Sequence, residues 1–404
     1  SVDKLLREEV EFFVKNNEEQ LFTITCTSTL ELGIDIGSVD SVVQYGSPPS
    51  TSSLSQRLGR SGRRTHQSIL HIVEDDSWEM LQTYAARDLL EQGELDATEM
   101  IETPYNALAH QVMAILFQKV SVPMTQLLQL NKNFPVWRTI PDEDLALLIG
   151  YMVEQDFIEI MDNEAIVGLE GERLLRSRDF YALFFTTSDF SVHYQHERIG
   201  SLPFTPEIQI ESKILLAGRV WIVKDIDVKA KRIQVERTKE GKPPKFISDE
   251  GFVSNEVREN MEKLLRTGEY LNLNNDKITR DFDFLKSALY FDAGNYWFED
   301  NQTNIGIVTF KGTKFNIALL LLIKSIVGEG EKYQLHDKHS LITGPDLKRI
   351  MQRLTDEDVS LDTVAAYLDR NEKAIEELTV HQKFMQLVPT CLKIKWILNN
   401  FFSV

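Results

Sequence analysis

The sequence predicts an α/β chain of several domains, and three observations lead to that prediction. The 404 residues are 42% hydrophobic, which is enough apolar material for more than one core, because single cores stop growing at roughly 250–300 residues. Strand-like and helix-like segments alternate over residues 1–100, the pattern of a parallel sheet with crossover helices. After residue 105 the pattern changes to amphipathic helices and then to short alternating strands.

The first hundred residues contain one predicted helix and three predicted strands. "LLREEVEFFVKN" at 5–16 places its apolar residues at helical spacing. Short runs rich in β-branched and aromatic residues are typical of parallel strands buried on both faces; they lie at 21–27, 39–46 and 68–75. The loop "GSPPS" and an arginine-rich segment connect the second run to the third.

The rest of the chain divides into three predicted domains. Residues 103–175 hold three helices that end in a short hairpin, Ile158–Ile160 with Glu164–Val167, which is the element order of a winged helix. Residues 176–250 alternate with period two through several turns, which predicts a small antiparallel β-barrel-like module. Residues 251–404 predict a mixed α/β, mainly helical C-terminal region, with helices at 315–326, 345–354 and 361–378.

Charge and cysteine content limit the class of protein. A net charge of −18 usually argues against a nucleic-acid partner, although a local basic groove can still bind phosphates. No apolar run reaches the roughly 18 residues of a membrane span. Only two cysteines, Cys26 and Cys391, indicate a reducing, cytoplasmic location with both thiols free and buried. The chain begins with Ser rather than Met, and we expect it to be a fragment of a longer protein.

The arginine-rich segment "SLSQRLGRSGRR" at 53–64 is the first candidate site. Glycines alternate with arginines there, so the backbone can approach a ligand while guanidinium groups converge on it. Guanidinium groups donate bidentate hydrogen bonds to phosphate oxygens, which favours a polyphosphate ligand. The alternative is a solvated basic turn.

A second segment, "TSTLELGIDIG" at 27–37, lies upstream. Thr27 and Ser28 follow a predicted strand, at the end where parallel sheets bind ligands. Gly33 permits a close backbone approach, and the Asp35 carboxylate can accept a hydrogen bond from a ribose hydroxyl. The two segments in this order are far more specific than either one.

These two segments resemble motifs V and VI of the superfamily 2 helicases. "LELGIDIG", "VDSVVQYGSPPS" and "QRLGRSGRR" together resemble the large helicase-related (Lhr) family in particular. Downstream, "LLAGRVWIVKDID", "GKPPKF" and "TFKGTKFN" are similar to segments of the Lhr core in the same order. The resemblance implies that residues 1–102 are a second RecA-like helicase domain, truncated at its N-terminus.

The resemblance also implies roles for individual residues. Arg60 and Arg63 would be arginine fingers on the γ-phosphate of ATP, and Gln56 would orient the nucleotide or the surroundings of the attacking water. Such a finger contributes roughly 10³–10⁵ in rate. Gly33 and Asp35 would contact the nucleotide ribose, and Arg57 would link the ATP site to the DNA path. Thr27 and Ser28 would hold a DNA phosphate.

One departure from the family pattern concerns ATP and Mg²⁺. The sequence has no G-x-x-x-x-G-K-[ST] phosphate loop and no acidic magnesium box, and "VEDD" at 73–76 comes after the arginine segment. We therefore expect ATP and Mg²⁺ to be held mainly by a first RecA-like domain that this chain lacks. The fragment alone is expected to be inactive, and no metal site is predicted in it.

The largest basic stretch outside the arginine segment is "KAKRIQVERTKEGKPPK" at 229–245. We favour a contact with the DNA backbone, with a solvated hairpin as the alternative. The predicted contact residues are Lys229, Lys231, Arg232, Lys242 and Lys245.

For two further features the sequence favours a structural role over a functional one. In "HYQHE", strand alternation points His193 and His196 apart, which argues against a metal site. Trp221 is either a core residue or a base-stacking platform, and core is favoured.

The sequence leaves two functions open, and for the first of them it leaves RNA open as the substrate in place of DNA. The first is the C-terminal part of an ATP-dependent Lhr-like DNA helicase or translocase, with single-stranded or forked DNA and the missing RecA-like domain as partners and no membrane. DNA repair is then an expectation by analogy. The second is a non-catalytic nucleic-acid-binding or scaffold protein derived from half a helicase.

Overall fold

The computed structural model divides the chain into two compact units. The first comprises residues 1–45, 55–73 and 186–251, and the second comprises residues 46–54, 74–185 and 252–404. The structure describes residues 12–13, 16, 21–25, 39–62, 67–97, 101–183, 189–195, 197–203, 208, 210–216, 219–227, 230–238, 252–270, 275–299, 305–328, 332–356 and 359–402. The four-domain division expected from the sequence stays a prediction.

The elements are numbered in chain order. The strands are β1 (Val42–Tyr45), β2 (Leu70–Val73), β3 (Ser121–Pro123), β4 (Ile158–Met161), β5 (Glu164–Val167), β6 (Asp189–Tyr194), β7 (Glu197–Pro203), β8 (Lys213–Leu216), β9 (Arg219–Asp227), β10 (Arg232–Arg237), β11 (Leu289–Asp292), β12 (Asn295–Glu299), β13 (Ile305–Val308), β14 (Gln334–His336) and β15 (Leu341–Thr343). The helices are α1 (Thr51–Leu58), α2 (Ser77–Glu91), α3 (Tyr105–Lys119), α4 (Met124–Leu127), α5 (Leu130–Asn133), α6 (Asp142–Glu154), α7 (Leu169–Leu175), α8 (Asn255–Thr267), α9 (Asp276–Ala288), α10 (Thr313–Val327), α11 (Leu347–Asp356), α12 (Leu361–Asp369), α13 (Glu372–Thr379) and α14 (Thr390–Phe401). Among the described helices, none is long and apolar enough to cross a bilayer.

Strands β1 and β2 of the first unit pair in parallel along their whole length. Parallel pairing is what the alternation of strands and helices predicts. The expected burial on both faces is not observed, because Val43 is 67% exposed and Tyr45 is 72% exposed. Successive side chains of a strand point to opposite faces, so one face of the pair is open to solvent.

The strand predicted at 21–27 is absent over its described part. Residues 21–25 pair with no strand among the described residues, and Leu21 is fully exposed. A doubly buried parallel strand needs cover on both faces, which this segment does not have. At the predicted first helix, the described residues 12, 13 and 16 are helical.

The first unit also contains a five-stranded sheet in the order β7-β6-β10-β9-β8. Its inner face is a core that includes Val192, Trp221, Val223, Ile233 and Val235. The prediction of a purely antiparallel module is wrong in one respect, because β10 pairs with β6 in parallel. The β8–β9 hairpin lies between these two strands in sequence. Strand β10 then pairs with the edge of β6 that β7 does not occupy, at the centre of the sheet.

In the second unit, β3, β5 and β4 form a three-stranded antiparallel sheet next to α3–α7. The predicted hairpin is confirmed as β4 and β5. Its two-residue turn, Asp162–Asn163, has φ angles of 50° and 67°, the geometry of a type I′ turn that suits Asn and Asp. The interpretation of this region as a winged helix stays a prediction.

The C-terminal part of the second unit combines helices α8–α14 with an antiparallel sheet in the order β11-β12-β13-β15-β14. The single helix predicted at 361–378 is instead two helices, α12 and α13. Asn371 lies at the break, and its side-chain amide donates to the Tyr367 carbonyl at 2.8 Å. Asparagine competes in this way for backbone hydrogen bonds, which favours helix ends over helix interiors.

Two buried polar groups join distant segments of the second unit. The Tyr105 hydroxyl donates to the Asp144 carboxylate, which also accepts from Lys395 Nζ at 2.7 and 2.9 Å, so α3, α6 and α14 are linked. Arg258 of α8 is almost fully buried, and burial lowers its pKa to about 10. Its Nη2 donates to the carbonyls of Asp337 and Lys338 at 2.8 and 3.1 Å.

The expectation of buried thiols is wrong for Cys391, which is free and exposed. It lies near the start of α14, whose buried residues fall on other positions of the helix. Cys26 lies outside the described residues.

Candidate functional site

The arginine segment begins on α1, directly after the carboxyl end of β1. Gly46, with a φ of +85°, starts the loop, and α1 begins at Thr51. The helix runs on to Leu58, and Ser61 beyond it pairs with Val39, which precedes β1. Arg60 therefore lies beside the residues that lead into β1.

The first turn of α1 is held by the carboxylate of Asp96. Asp96 accepts hydrogen bonds from the backbone amides of Thr51 and Ser52 at 3.2 and 2.7 Å and from the Thr51 hydroxyl at 2.8 Å. These amides belong to the four that a helix N-terminus leaves without internal partners. The carboxylate thus caps the helix and complements its positive end.

The electrostatics of Asp96 follow from these bonds. Burial on its own raises the pKa of this carboxyl, but hydrogen bonds from Ser254, Ser52 and Thr51 outweigh that effect and lower the pKa to about 2. Asp96 is therefore a stable anion that fixes the start of α1. Sequence reasoning missed this residue, because it lies 45 positions from Thr51 and no local pattern signals the pairing.

The last turn of α1 carries Gln56 and Arg57, and Arg60 follows two residues after the helix. The Arg60 amide donates to the Arg57 carbonyl at 3.2 Å, so the chain continues its helical turn as far as Arg60. Gln56 is exposed, and Arg57 and Arg60 are half-buried. Three predicted site residues are thus brought together within five positions at the C-terminal end of one short helix.

Arg60 is fixed from its C-terminal side by a parallel bridge. Val39 pairs with Ser61; the Val39 amide donates to the Arg60 carbonyl at 3.4 Å, and the Gly62 amide donates to the Val39 carbonyl at 3.3 Å. The buried Ser61 hydroxyl also accepts from the Ile69 amide at 2.8 Å. The backbone around Arg60 is therefore pinned next to the parallel strand pair.

The two glycines of the segment do not share the role expected from the sequence. Gly62 has a φ of +73°, and a Cβ there would lie 2.3 Å from the Gln67 carbonyl oxygen. Gly59 has no such φ, and its nearest contact would be the Ser55 carbonyl oxygen at 3.3 Å. Gly62 is thus required by packing against the chain itself rather than by the approach of a ligand.

Eight of the predicted site residues lie outside the described residues, and their roles stay predictions: Thr27, Ser28, Gly33, Asp35, Arg63, Lys229, Lys242 and Lys245. The arrangement of the segment "TSTLELGIDIG" relative to Arg60 is not described for the same reason.

The predicted basic surface is described at Lys231 and Arg232, which are both exposed at the start of β10. Arg237, at the other end of β10, lies with its guanidinium carbon 4.9 Å from the ring centroid of Tyr194 and 6.0 Å from that of Trp221. Trp221 itself is buried and donates to the Leu216 carbonyl at 3.0 Å. Trp221 is therefore a core residue, as favoured from the sequence.

The acidic run "VEDD" is a strand end followed by a helix cap. Val73 ends β2, and the Asp76 carboxylate accepts from the Glu79 amide at 2.8 Å at the start of α2. Glu74 is half-buried, and burial raises its pKa. Among the described residues, no group of three or more His, Cys, Asp or Glu side chains could hold a metal ion.

Comparison with protein families supports the predicted resemblance. Residues 4–65 match the model of the helicase conserved C-terminal domain, a match that ends just after the arginine segment. The ATP-dependent helicase Lhr-Core protein 2 of Thermococcus barophilus is 31% identical over 157 residues, which are 38% of this chain and 17% of that protein. The ATP-dependent helicase Lhr-Core of Methanothermobacter thermautotrophicus is 29% identical over 161 residues, 40% of this chain and 18% of that protein.

A solved structure shows the same fold at greater length. The helicase Lhr of Mycobacterium smegmatis, in a structure described as bound to ssDNA and AMP-PNP, aligns with 98% of this chain at a TM-score of 0.59 and 15% identity. The aligned region is 53% of that chain, so this chain spans about half of its length. The resemblance to the C-terminal portion of Lhr-like superfamily 2 helicases is confirmed.

Proposed function

We propose that this chain, which resembles the C-terminal portion of the Lhr-like superfamily 2 helicases, serves as one half of an ATP-dependent motor that moves along single-stranded DNA. The relatives that it matches are named ATP-dependent helicases. The observation that carries the proposal is the grouping of Gln56, Arg57 and Arg60 at the end of α1, within the segment that matches the helicase C-terminal domain.

In this proposal Arg60 and Arg63 are arginine fingers. Their guanidinium groups would meet the γ-phosphate of ATP bound to another RecA-like lobe, and Gln56 would orient the nucleotide. Planar guanidinium donors fit phosphate oxygens, and their charge offsets the negative charge that develops during phosphoryl transfer. The capped start of α1 and the Val39–Ser61 bridge support this role, because a finger must be held rigidly.

ATP and Mg²⁺ are assigned mainly to the other lobe. The described part of the arginine segment offers guanidinium and amide donors that suit a phosphate. When bound there, Mg²⁺ would neutralise phosphate charge. This chain would add the fingers, with Gly33, Asp35 and Arg57 near the nucleotide.

DNA is the proposed track. Thr27 and Ser28 would hold a backbone phosphate, and the exposed Lys231 and Arg232 would add cationic contacts on the five-stranded sheet. Contacts of this kind act on the phosphate backbone and carry no base sequence information. The winged-helix-like region and this sheet would each take part in separating the strands.

DNA-stimulated ATP hydrolysis by the motor with both lobes tests the proposal. We expect Arg60→Ala and Arg63→Ala each to reduce turnover by about 10³-fold or more, with DNA binding retained. Arg87→Ala is the matched control, because Arg87 is an exposed arginine of α2 whose ion pair with Glu91 at 2.7 Å is far from the segment in sequence. Its turnover should equal that of the wild type.

Two outcomes contradict the proposal in different ways. Normal turnover in both finger variants would refute the finger assignment. DNA binding with no ATP hydrolysis by the wild-type protein, in the presence of both lobes, would instead favour the non-catalytic scaffold.

A further inference from the structure

The outer face of the five-stranded sheet carries a cationic strip next to the predicted basic residues. The inner face is buried by Val192, Ile233 and Val235, so the intervening residues of β6 and β10 point outward. On β6 these are Ser191 and His193, and on β10 they are Arg232 and Gln234. Register pairs Ser191 with Arg232 and His193 with Gln234, so all four share one face.

A β-bulge adds Arg198 to this face. The pairing of β6 with β7 shifts between Val192 and His193, and Arg198 becomes the partner of His193. Without the shift, Arg198 would share a face with Gly200 and with Leu202, which belongs to the core. Bulges commonly re-aim one side chain in this way, often at functional positions.

Hydrogen bonds fix the centre of the strip. His193 Nε2 lies 3.1 Å from Ser191 Oγ, and Ser191 Oγ donates to the Lys231 carbonyl at 3.2 Å. The imidazole of His193 therefore lies between Arg198 on β7 and Arg232 on β10. Partial burial, with the nearby charges of Arg232 and Arg198, lowers the pKa of His193.

Among the side chains that the structure describes, the carboxylates on the same face lie on β9 and at the far end of β10. Asp225 is opposite Gln234, and Asp227 is opposite Arg232. The Asp227 carboxylate accepts from the Ala230 amide at 2.8 Å in the following turn. Glu236 lies two positions beyond Gln234 on β10. Within this described set, the positive charge of Arg198 and Arg232 flanks His193 on the β7, β6 and β10 side of the face.

We propose that Arg198, His193 and Arg232 form a binding strip for the phosphate backbone of single-stranded nucleic acid, and that binding takes up a proton at His193. The inference rests on the proposed DNA track and adds Arg198 and His193, neither of which the sequence assigns to DNA binding. The guanidinium groups of Arg198 and Arg232 repel the protonated imidazole of His193. A phosphate bound between them offsets that repulsion and favours protonation. Affinity therefore increases as the pH falls toward 5.5.

The strip binds the phosphate backbone and does not distinguish one base from another. Its described side chains are cationic or small and polar, and the aromatic residues Trp221 and Tyr194 lie on the inner, core side of the sheet. Binding should therefore be independent of base sequence and strongly dependent on salt.

Fluorescence anisotropy with a labelled oligothymidine, without ATP, tests the proposal on the purified chain. Each phosphate contact on a single strand contributes a salt slope of about −0.7. Arg198→Gln and Arg232→Gln should each weaken binding about fivefold at 0.1 M salt and reduce that slope by about 0.7. Arg219→Gln is the matched control. Arg219 lies at the start of β9, two residues before the buried Trp221, so strand alternation places it on the opposite face of the sheet from the strip.

Measuring affinity at different pH values distinguishes protonation of His193 from a general effect of acid on binding. His193→Gln should match the wild type at pH 7.5 and lose most of the gain in affinity that the wild type shows at pH 5.5. Wild-type affinity in both arginine variants, an unchanged pH response in His193→Gln, or no binding by the wild-type chain at low salt overturns the proposal. Because no ATP is present, these outcomes are distinct from failure of the arginine-finger assignment.

Discussion

Gly59 and Gly62 stand three positions apart in the same arginine-rich segment but have different surroundings. We expect Gly62→Ala to lower the free energy of unfolding by more than about 2 kcal/mol, because a left-handed φ alone costs about 1–2 kcal/mol for an alanine and the Cβ would also meet the Gln67 carbonyl. Gly59→Ala should change stability by less than about 1 kcal/mol. Urea denaturation measures both, and equal losses would contradict the assigned role of Gly62.

Asp96 acts on the arginine segment through the helix that it caps. Asp96→Ala should lower stability by about 1–2 kcal/mol, the usual effect of losing a helix cap, and should reduce turnover of the complete motor by displacing α1. Asp369→Ala is the control, because Asp369 is an exposed carboxylate at the end of α12. An unchanged unfolding midpoint in Asp96→Ala would show that the cap does not hold α1.

The same carboxylate predicts a dependence on acid. Its pKa is about 2 in the folded chain against an ordinary value of 3.8, so the unfolded chain binds the proton more readily. The stabilisation is therefore fully present above about pH 4 and is lost as the pH falls toward 2. Unfolding curves from pH 5 to pH 2 should show wild type and Asp96→Asn converging, and parallel curves would contradict the assignment.

These residues show what the sequence can and cannot predict about the site. The clustering of Gln56, Arg57 and Arg60 is visible in the sequence because they are close along the chain. The contact between Asp96 and α1 is not, since it depends on how segments 45 residues apart meet. The glycines were both predicted to admit a ligand, and only the backbone angle and the position of Gln67 separate them.

At the scale of elements, sequence patterns between residues close along the chain predict the secondary structure well. The β4–β5 hairpin follows from alternation around an Asp-Asn turn, and β1 and β2 follow from their β-branched runs. The parallel pairing of β10 with β6 has no local signal, because hairpin spacing favours antiparallel neighbours. The break between α12 and α13 depends on one side-chain hydrogen bond of Asn371.

Helix α8 supplies a test of a buried contact. Arg258→Ala should lower the free energy of unfolding by about 3 kcal/mol or more, because it leaves two carbonyls without their donor and opens a cavity beside Trp78. Arg266→Ala, at an exposed position of the same helix, should change it by less than about 0.5 kcal/mol. Similar losses in the two variants would contradict the stabilising role assigned to the buried contacts of Arg258.

At the scale of the whole molecule, an acidic chain concentrates cations where phosphates are expected. Net charge describes solubility and long-range steering, whereas binding depends on the local arrangement of charges. The arginine segment is bridged at Ser61 to Val39, just ahead of β1, and the Arg198–His193–Arg232 strip lies on one face of the five-stranded sheet. The two would serve the two phosphate partners of a motor, the nucleotide and the strand.

The most direct test of the account separates nucleotide binding from turnover at Arg60. For the motor with both lobes, we expect Arg60→Ala to lower kcat by about 10³-fold or more, while affinity for a non-hydrolysable ATP analogue falls by less than about tenfold, because a finger acts on the transition state. An unchanged kcat, or a loss confined to nucleotide affinity, would contradict the account.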